Sequence, residues 1–82
     1  MIYLIEYDRE SGKLLRLDEY ASGNQIRAEE DRLTIELDLL RRSVAHEVVL
    51  LEASNEDELR KTHRRYFERL EQLMTQEPVT QR

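Results

Sequence analysis

The sequence predicts an α+β fold: one small domain in the order ββαβα, a three-stranded sheet with two helices packed on one face. Three observations predict it. Short runs rich in aromatic, β-branched and leucine residues at 1–7, 13–20 and 45–53 have the length and composition of strands. Residues 25–43 and 55–75 carry apolar side chains at helical spacing. Two Gly and one Pro in 82 residues leave room only for short connections between regular elements.

Residues 1–7 (MIYLIEY) read as a well-buried strand. Asp8-Arg9-Glu10-Ser11-Gly12 supplies turn chemistry, because an Asp carboxylate can accept from the amides ahead of it and Gly12 can take a positive φ. Residues 13–20 (KLLRLDEY) then run back as the second strand of a hairpin. Strict alternation puts Leu15 and Leu17 on one face, with Leu14, Arg16, Asp18 and Tyr20 on the other. Ala21-Ser22-Gly23-Asn24 breaks the strand and offers a helix N-cap.

Residues 25–43 satisfy two templates. Ile26, Leu33, Leu37, Leu40 and Val44 form a helical stripe, while Leu33 to Leu39 also alternates like a strand. Helix is favoured by the strong helix formers on both sides and by Arg41 and Arg42 at the C-terminal end. A helix here has a second apolar face, Ala28, Ile35 and Leu39, opposite the main stripe. In so small a domain that face needs a further surface to cover it. Residues 45–53 hold the continuous run Val48-Val49-Leu50-Leu51, which suits a strand covered on both faces. Ser54-Asn55-Glu56-Asp57 is a capping signature with Ser54 as cap, opening a last helix over about 55–75. Its stripe is Leu59, His63, Tyr66, Leu70 and Leu73, with Phe67 and Met74 alongside. The domain spans 1–75, and 76–82, with Pro78, form a flexible tail.

Composition narrows the function. Hydrophobic residues at 39% and charged residues at 38% place the chain above disordered composition. The absence of Cys excludes disulfides and thiolate chemistry. Met1 to Ile5 runs straight into Glu6 and Asp8, far short of a signal-peptide core or a membrane span, so the expected location is cytoplasmic with no membrane partner. The net charge is −5, yet its distribution is uneven. Residues 1–58 carry fifteen Asp/Glu and seven Lys/Arg, whereas 59–82 carry three and six. Arg60, Lys61, Arg64, Arg65 and Arg69 fall on the back of the last helix and form the candidate interaction surface. Glu56 with Arg60 and Asp57 with Lys61 are well-oriented i,i+4 pairs that offset much of this charge.

Other constellations are weaker. His63 on the apolar stripe reads as a half-buried ring packed on aromatics, and His46 beside Glu47 does not make a metal site because adjacent strand residues point to opposite faces. Glu6 and Asp8 share a strand face, where paired carboxylates could hold a divalent cation. Residues 1–8, ending in Tyr7-Asp8, resemble the opening strand of the small CRISPR-associated nucleases, which would imply metal-dependent cleavage. That family continues into a helix, whereas Ser11-Gly12-Lys13-Leu14-Leu15 turns back into a strand, so the resemblance ends there. Tyr3 and Tyr7 share a face with Ile5 and could stack bases, although aromatics facing helices usually form core. No catalytic, phosphate-loop, zinc or calcium motif is present, and no cofactor or metal is implied.

These features predict a non-enzymatic protein–protein interaction or accessory module that pairs with a protein partner or with itself as a homodimer, with Ala28, Ile35 and Leu39 as the candidate dimer face. The alternative is an RNA- or DNA-binding protein that uses the basic face of the last helix.

Overall fold

The computed structural model describes residues 1–67. Its elements are β1 (Ile2–Asp8), β2 (Lys13–Tyr20), α1 (Gln25–Arg41), β3 (Glu47–Glu52) and α2 (Glu56–Thr62), with 3-10 turns at Ser22–Asn24 and Arg64–Tyr66. The ββαβα order and the α+β class are those expected. The strands form one antiparallel sheet in the order β2-β1-β3, so the first and most apolar strand takes the centre. Residues 68–82 lie outside the described residues, and with them Arg69, Leu70, Leu73, Met74 and the expected tail at 76–82.

The hairpin turn is held as its residues require. Asp8 Oδ1 accepts from the amides of Glu10 at 3.0 Å and Ser11 at 3.4 Å, and Oδ2 accepts from the Ser11 hydroxyl at 2.7 Å. Gly12, at φ 73°, donates to the Asp8 carbonyl at 2.8 Å and supplies the left-handed residue of the turn. The Ser11 hydroxyl first, then the two amides, hold the Asp8 carboxyl below its ordinary range.

One detail of the hairpin corrects the alternation drawn from sequence. The register runs Ile5 to Leu17 and Glu6 to Arg16, then Tyr7 to Leu14, so Leu15 is an extra residue in a β-bulge. Leu14 and Leu17, not Leu15 and Leu17, therefore face the same core, and Leu15 is left exposed.

Because successive side chains alternate, β1 feeds two layers. Tyr3 and Ile5 pack with Leu59, Tyr66 and Phe67, flanked by Leu17, Val49 and Leu51. Ile2 and Leu4 point to the other face, where α1 crosses β1 and β3 and buries Ala28 and Leu39. The hydroxyl of Tyr20, which stands opposite Ile2, bonds Asp31 of α1 at 2.7 Å on that side. The two helices thus cover opposite faces of the sheet, rather than one face as expected. A central strand apolar at four successive positions requires a cover on each side.

Both helices end for identifiable reasons. At the close of α1, Ser43 takes φ 57°, its amide bonds the Leu40 carbonyl and the Val44 amide bonds the Leu39 carbonyl at 2.9 Å. That is a Schellman stop with Val44 beside buried Leu39. α2 is capped by Asn55, whose side chain accepts from the Glu58 amide at 2.9 Å; Ser54, the expected cap, lies one residue outside. The last helix does not run to 75 as expected. It stops at Thr62, His63 leaves helical geometry at φ −125° and ψ 54°, and the chain restarts as a 3-10 turn. The break folds both Tyr66 and Phe67 under the sheet, whereas neighbours on a continuous α-helix diverge by about 100°.

Candidate interaction surface

α1 carries two apolar faces, as its sequence indicates, but their roles are reversed. Ala28 and Leu39 are buried against the sheet and Ile35 is half-buried, so the residues expected to form the dimer face are covered within the chain. Ile26 (77% exposed), Leu40 (76%), Leu33 (55%) and Leu37 (49%), expected to face the core, form the outer face instead. The reason lies in the surface that α1 covers. On that side the sheet offers Ile2, Leu4, Val48 and Leu50, bordered by Glu6, Arg16, Asp18 and Tyr20. A mixed sheet face takes the mixed helix face, where Ala28, Ile35 and Leu39 alternate with Asp31, Asp38 and Arg42. Asp31 then bonds Tyr20, and the small Ala28 allows close approach. Turning the leucine stripe inward would leave the Tyr20 hydroxyl without its Asp31 partner.

Between α1 and the sheet runs an open groove of about 540 Å³ lined by Glu6, Arg16, Asp31, Thr34, Ile35, Asp38, Arg41 and Arg42. Near its Glu6 end, Glu6 Oε2 lies 2.7 Å from His46 Nδ1, and Oε1 lies 3.8 Å from Arg16 Nε. The pairing of Glu6 with His46 was missed in the sequence, where the two are forty residues apart. Only the antiparallel register, which sets Glu6 opposite Val48, brings the loop before β3 to this carboxylate. Glu6 and Asp8 do not cooperate: Glu6 is held by His46 and Arg16, and Asp8 by the turn. Among the described residues no three His, Asp or Glu side chains converge on a possible metal position. In this groove the Tyr20 hydroxyl first, then the Arg27 charge, hold the Asp31 carboxyl below its ordinary range. Burial first, and the same bond second, push Tyr20 up to about 12.

The basic residues of the second candidate surface are largely engaged. Arg60 Nη2 meets Glu56 at 2.7 Å, and its guanidinium lies 4.6 Å from the Phe67 ring centre. Lys61 pairs with Glu58 at 3.8 Å rather than with Asp57 as expected. Arg65 bonds Glu47 and covers the Tyr66 ring at 4.3 Å. Tyr66 donates to the same Glu47 at 2.7 Å and meets the edge of Tyr7 at 5.3 Å between ring centres. Arg64 is exposed. These side chains come from a broken helix and do not form a single stripe. His63 caps α2, with Nδ1 2.9 Å from the Thr62 hydroxyl, and Tyr3 is core: it is fully buried and donates to Glu19 at 2.8 Å. No helix among the described residues is long and apolar enough to cross a membrane.

Compared with protein-family models, curated proteins and solved structures, the chain matches none of them.

Proposed function

We propose that this chain is a non-enzymatic protein–protein interaction module that works as a homodimer, joined through the outer face of α1. The observation that carries the reading is the stripe of Ile26, Leu33, Leu37 and Leu40, interrupted only by Glu30 and half to three-quarters exposed on a helix whose other face is already packed. Full burial of a leucine-class side chain is worth about 1.5–3 kcal/mol, and Ile26 and Leu40 have most of that still to gain. A second copy is a fitting partner because the stripe is bordered by cations (Arg27, Arg41) on one edge and by carboxylates (Glu29, Glu36) on the other. The surface therefore complements itself. α1 is already folded on its sheet, so pairing does not carry the cost of helix nucleation.

Nucleic-acid binding through Arg60, Lys61, Arg64, Arg65 and Arg69 has less support. Arg60, Lys61 and Arg65 each have a carboxylate partner within the chain, which lowers the field available to phosphate.

Sedimentation velocity from micromolar to several hundred micromolar tests the reading. The wild-type chain is expected to pass from monomer to dimer with rising concentration, and Leu37→Asp is expected to stay monomeric with an unchanged circular dichroism spectrum. A wild-type monomer across the whole range overturns it.

A further inference from the structure

We propose that the two α1 helices pair in parallel about a twofold axis, each seam residue meeting its own counterpart, with the Glu36 of one copy beside the Arg41 of the other. This rests on the self-association reading above and specifies its geometry.

The spacing of the stripe gives the seam. Ile26, Glu30, Leu33, Leu37 and Leu40 alternate steps of four and three, the spacing of the inner positions of a coiled coil. Ile26, Leu33 and Leu40 occupy one class of inner position, and Glu30 and Leu37 the other. Val44 would be next, but α1 ends at Arg41. The seam lies on the side of α1 opposite Ala28, Ile35 and Leu39, so both sheets point away from the axis and neither blocks the approach.

The flanks choose the direction. One edge of the seam carries Arg27, Thr34 and Arg41; the other carries Glu29 and Glu36. In a parallel pair opposite edges meet, and Glu36 of each copy faces Arg41 of the other twice across the axis. In an antiparallel pair like edges meet, which sets Arg27 against Arg41 twice and Glu36 against Glu36. Arg41 is suited to the parallel role: it is exposed, stands between the groove and the seam, and its side chain has no ion pair or hydrogen bond within the described residues. Glu36 has one, to Arg32 at 3.5 Å on its outer side, and a carboxylate can accept a second cation. Glu30 is the single charged layer of the seam. In the parallel arrangement it meets its own copy, a like-charge layer that lowers affinity and must turn its carboxylates out to solvent, so the flanking Glu36–Arg41 pairs have to outweigh it.

Cysteine cross-linking reads the direction cleanly, because the chain has no cysteine of its own. Ile26→Cys and Leu40→Cys stand near opposite ends of a 17-residue helix about 25 Å long. In a parallel pair each variant alone meets itself and forms a disulfide-linked dimer on mild oxidation. In an antiparallel pair neither self-contact is within the roughly 7 Å between Cα atoms that a disulfide needs. Charge reversal gives a second reading of opposite sign. Arg41→Glu is expected to weaken the dimer about three- to tenfold in the parallel arrangement, with Glu36→Arg in the same chain restoring affinity. In the antiparallel arrangement the same substitution removes a repulsion and tightens the dimer. Dimers in sedimentation that fail to self-link at both 26 and 40, or that tighten with Arg41→Glu, overturn the parallel pairing and leave self-association standing. Reduced variants and wild type that are monomeric at every concentration overturn both.

Discussion

The two helices flank one sheet and dispose of their apolar residues in opposite ways. α2 has seven residues, a side-chain cap and one apolar residue, Leu59, which is completely buried. With the turn that follows, it buries Leu59, Tyr66 and Phe67 against its face of the sheet, and among the described residues neither α2 nor that turn exposes a large apolar side chain. α1 has seventeen residues, meets its sheet face with Ala28, Ile35 and Leu39, and keeps its larger leucine stripe outside. Among the described residues one layer is closed, and the other carries a surplus. The comparison teaches that the length of an amphipathic helix does not decide which side is core. What decides is the polarity of the surface it must cover.

Substitutions can break or sharpen this contrast. The largest effect belongs to the closed layer: Phe67→Ala should cost about 3–5 kcal/mol of stability in urea unfolding, because it empties a fully buried aromatic site. Next is Tyr66→Phe, which leaves Glu47 without its hydroxyl donor and should cost about 1.5–3 kcal/mol by the same measurement. On the α1 side, Tyr20→Phe should lower the melting temperature at neutral pH by a smaller step, and this step should vanish in acid. The sign follows from Asp31, whose carboxyl is held down by the Tyr20 hydroxyl. The stability it contributes is complete above its unfolded value near about 4 and is lost as pH falls through the lower folded value, so the two melting curves converge below about pH 4. Ser43→Gly should stabilise by about 0.5–1 kcal/mol, since Ser43 occupies the left-handed conformation that glycine takes without strain. Smallest is Leu40→Gln, expected to change monomer stability by less than about 0.5 kcal/mol at micromolar concentration. A loss of several kcal/mol there would mean that the outer stripe is core and would dissolve the contrast.

Local signals in the sequence read well wherever one short segment decides the outcome. The strand at the start, the Asp8 to Gly12 turn, the helical choice over 25–41 and the run Val48 to Leu51 each rest on neighbouring residues. What failed depended on partners far along the chain. Nothing between residues 25 and 43 says whether the face with more leucines or the face with Ala28 meets the sheet; that depends on Glu6, Arg16 and Tyr20 at its border. The meeting of Glu6 with His46 needed the β1–β3 register. The break at His63 needed Tyr66 and Phe67 both to lie under Tyr3 and Ile5, which periodicity alone does not reveal. The charged back of the last helix was legible in its i,i+4 pairing of Glu56 with Arg60, but the engagement of Arg65 by Glu47 was not, because β3 supplies the carboxylate.

The bulge at Leu15 has a bearing on how the molecule avoids unwanted company. A three-stranded sheet has two free edges, and each is a template on which a foreign strand can add and seed fibrous aggregates. On the β2 edge the extra residue disrupts the regular spacing of outward amides and carbonyls and increases the local twist, so an incoming strand cannot stay in register. The β3 edge is only six residues long and begins and ends with glutamate. With both edges made poor templates, lateral growth of the sheet is discouraged by bulged backbone on one side and by short length and charge on the other.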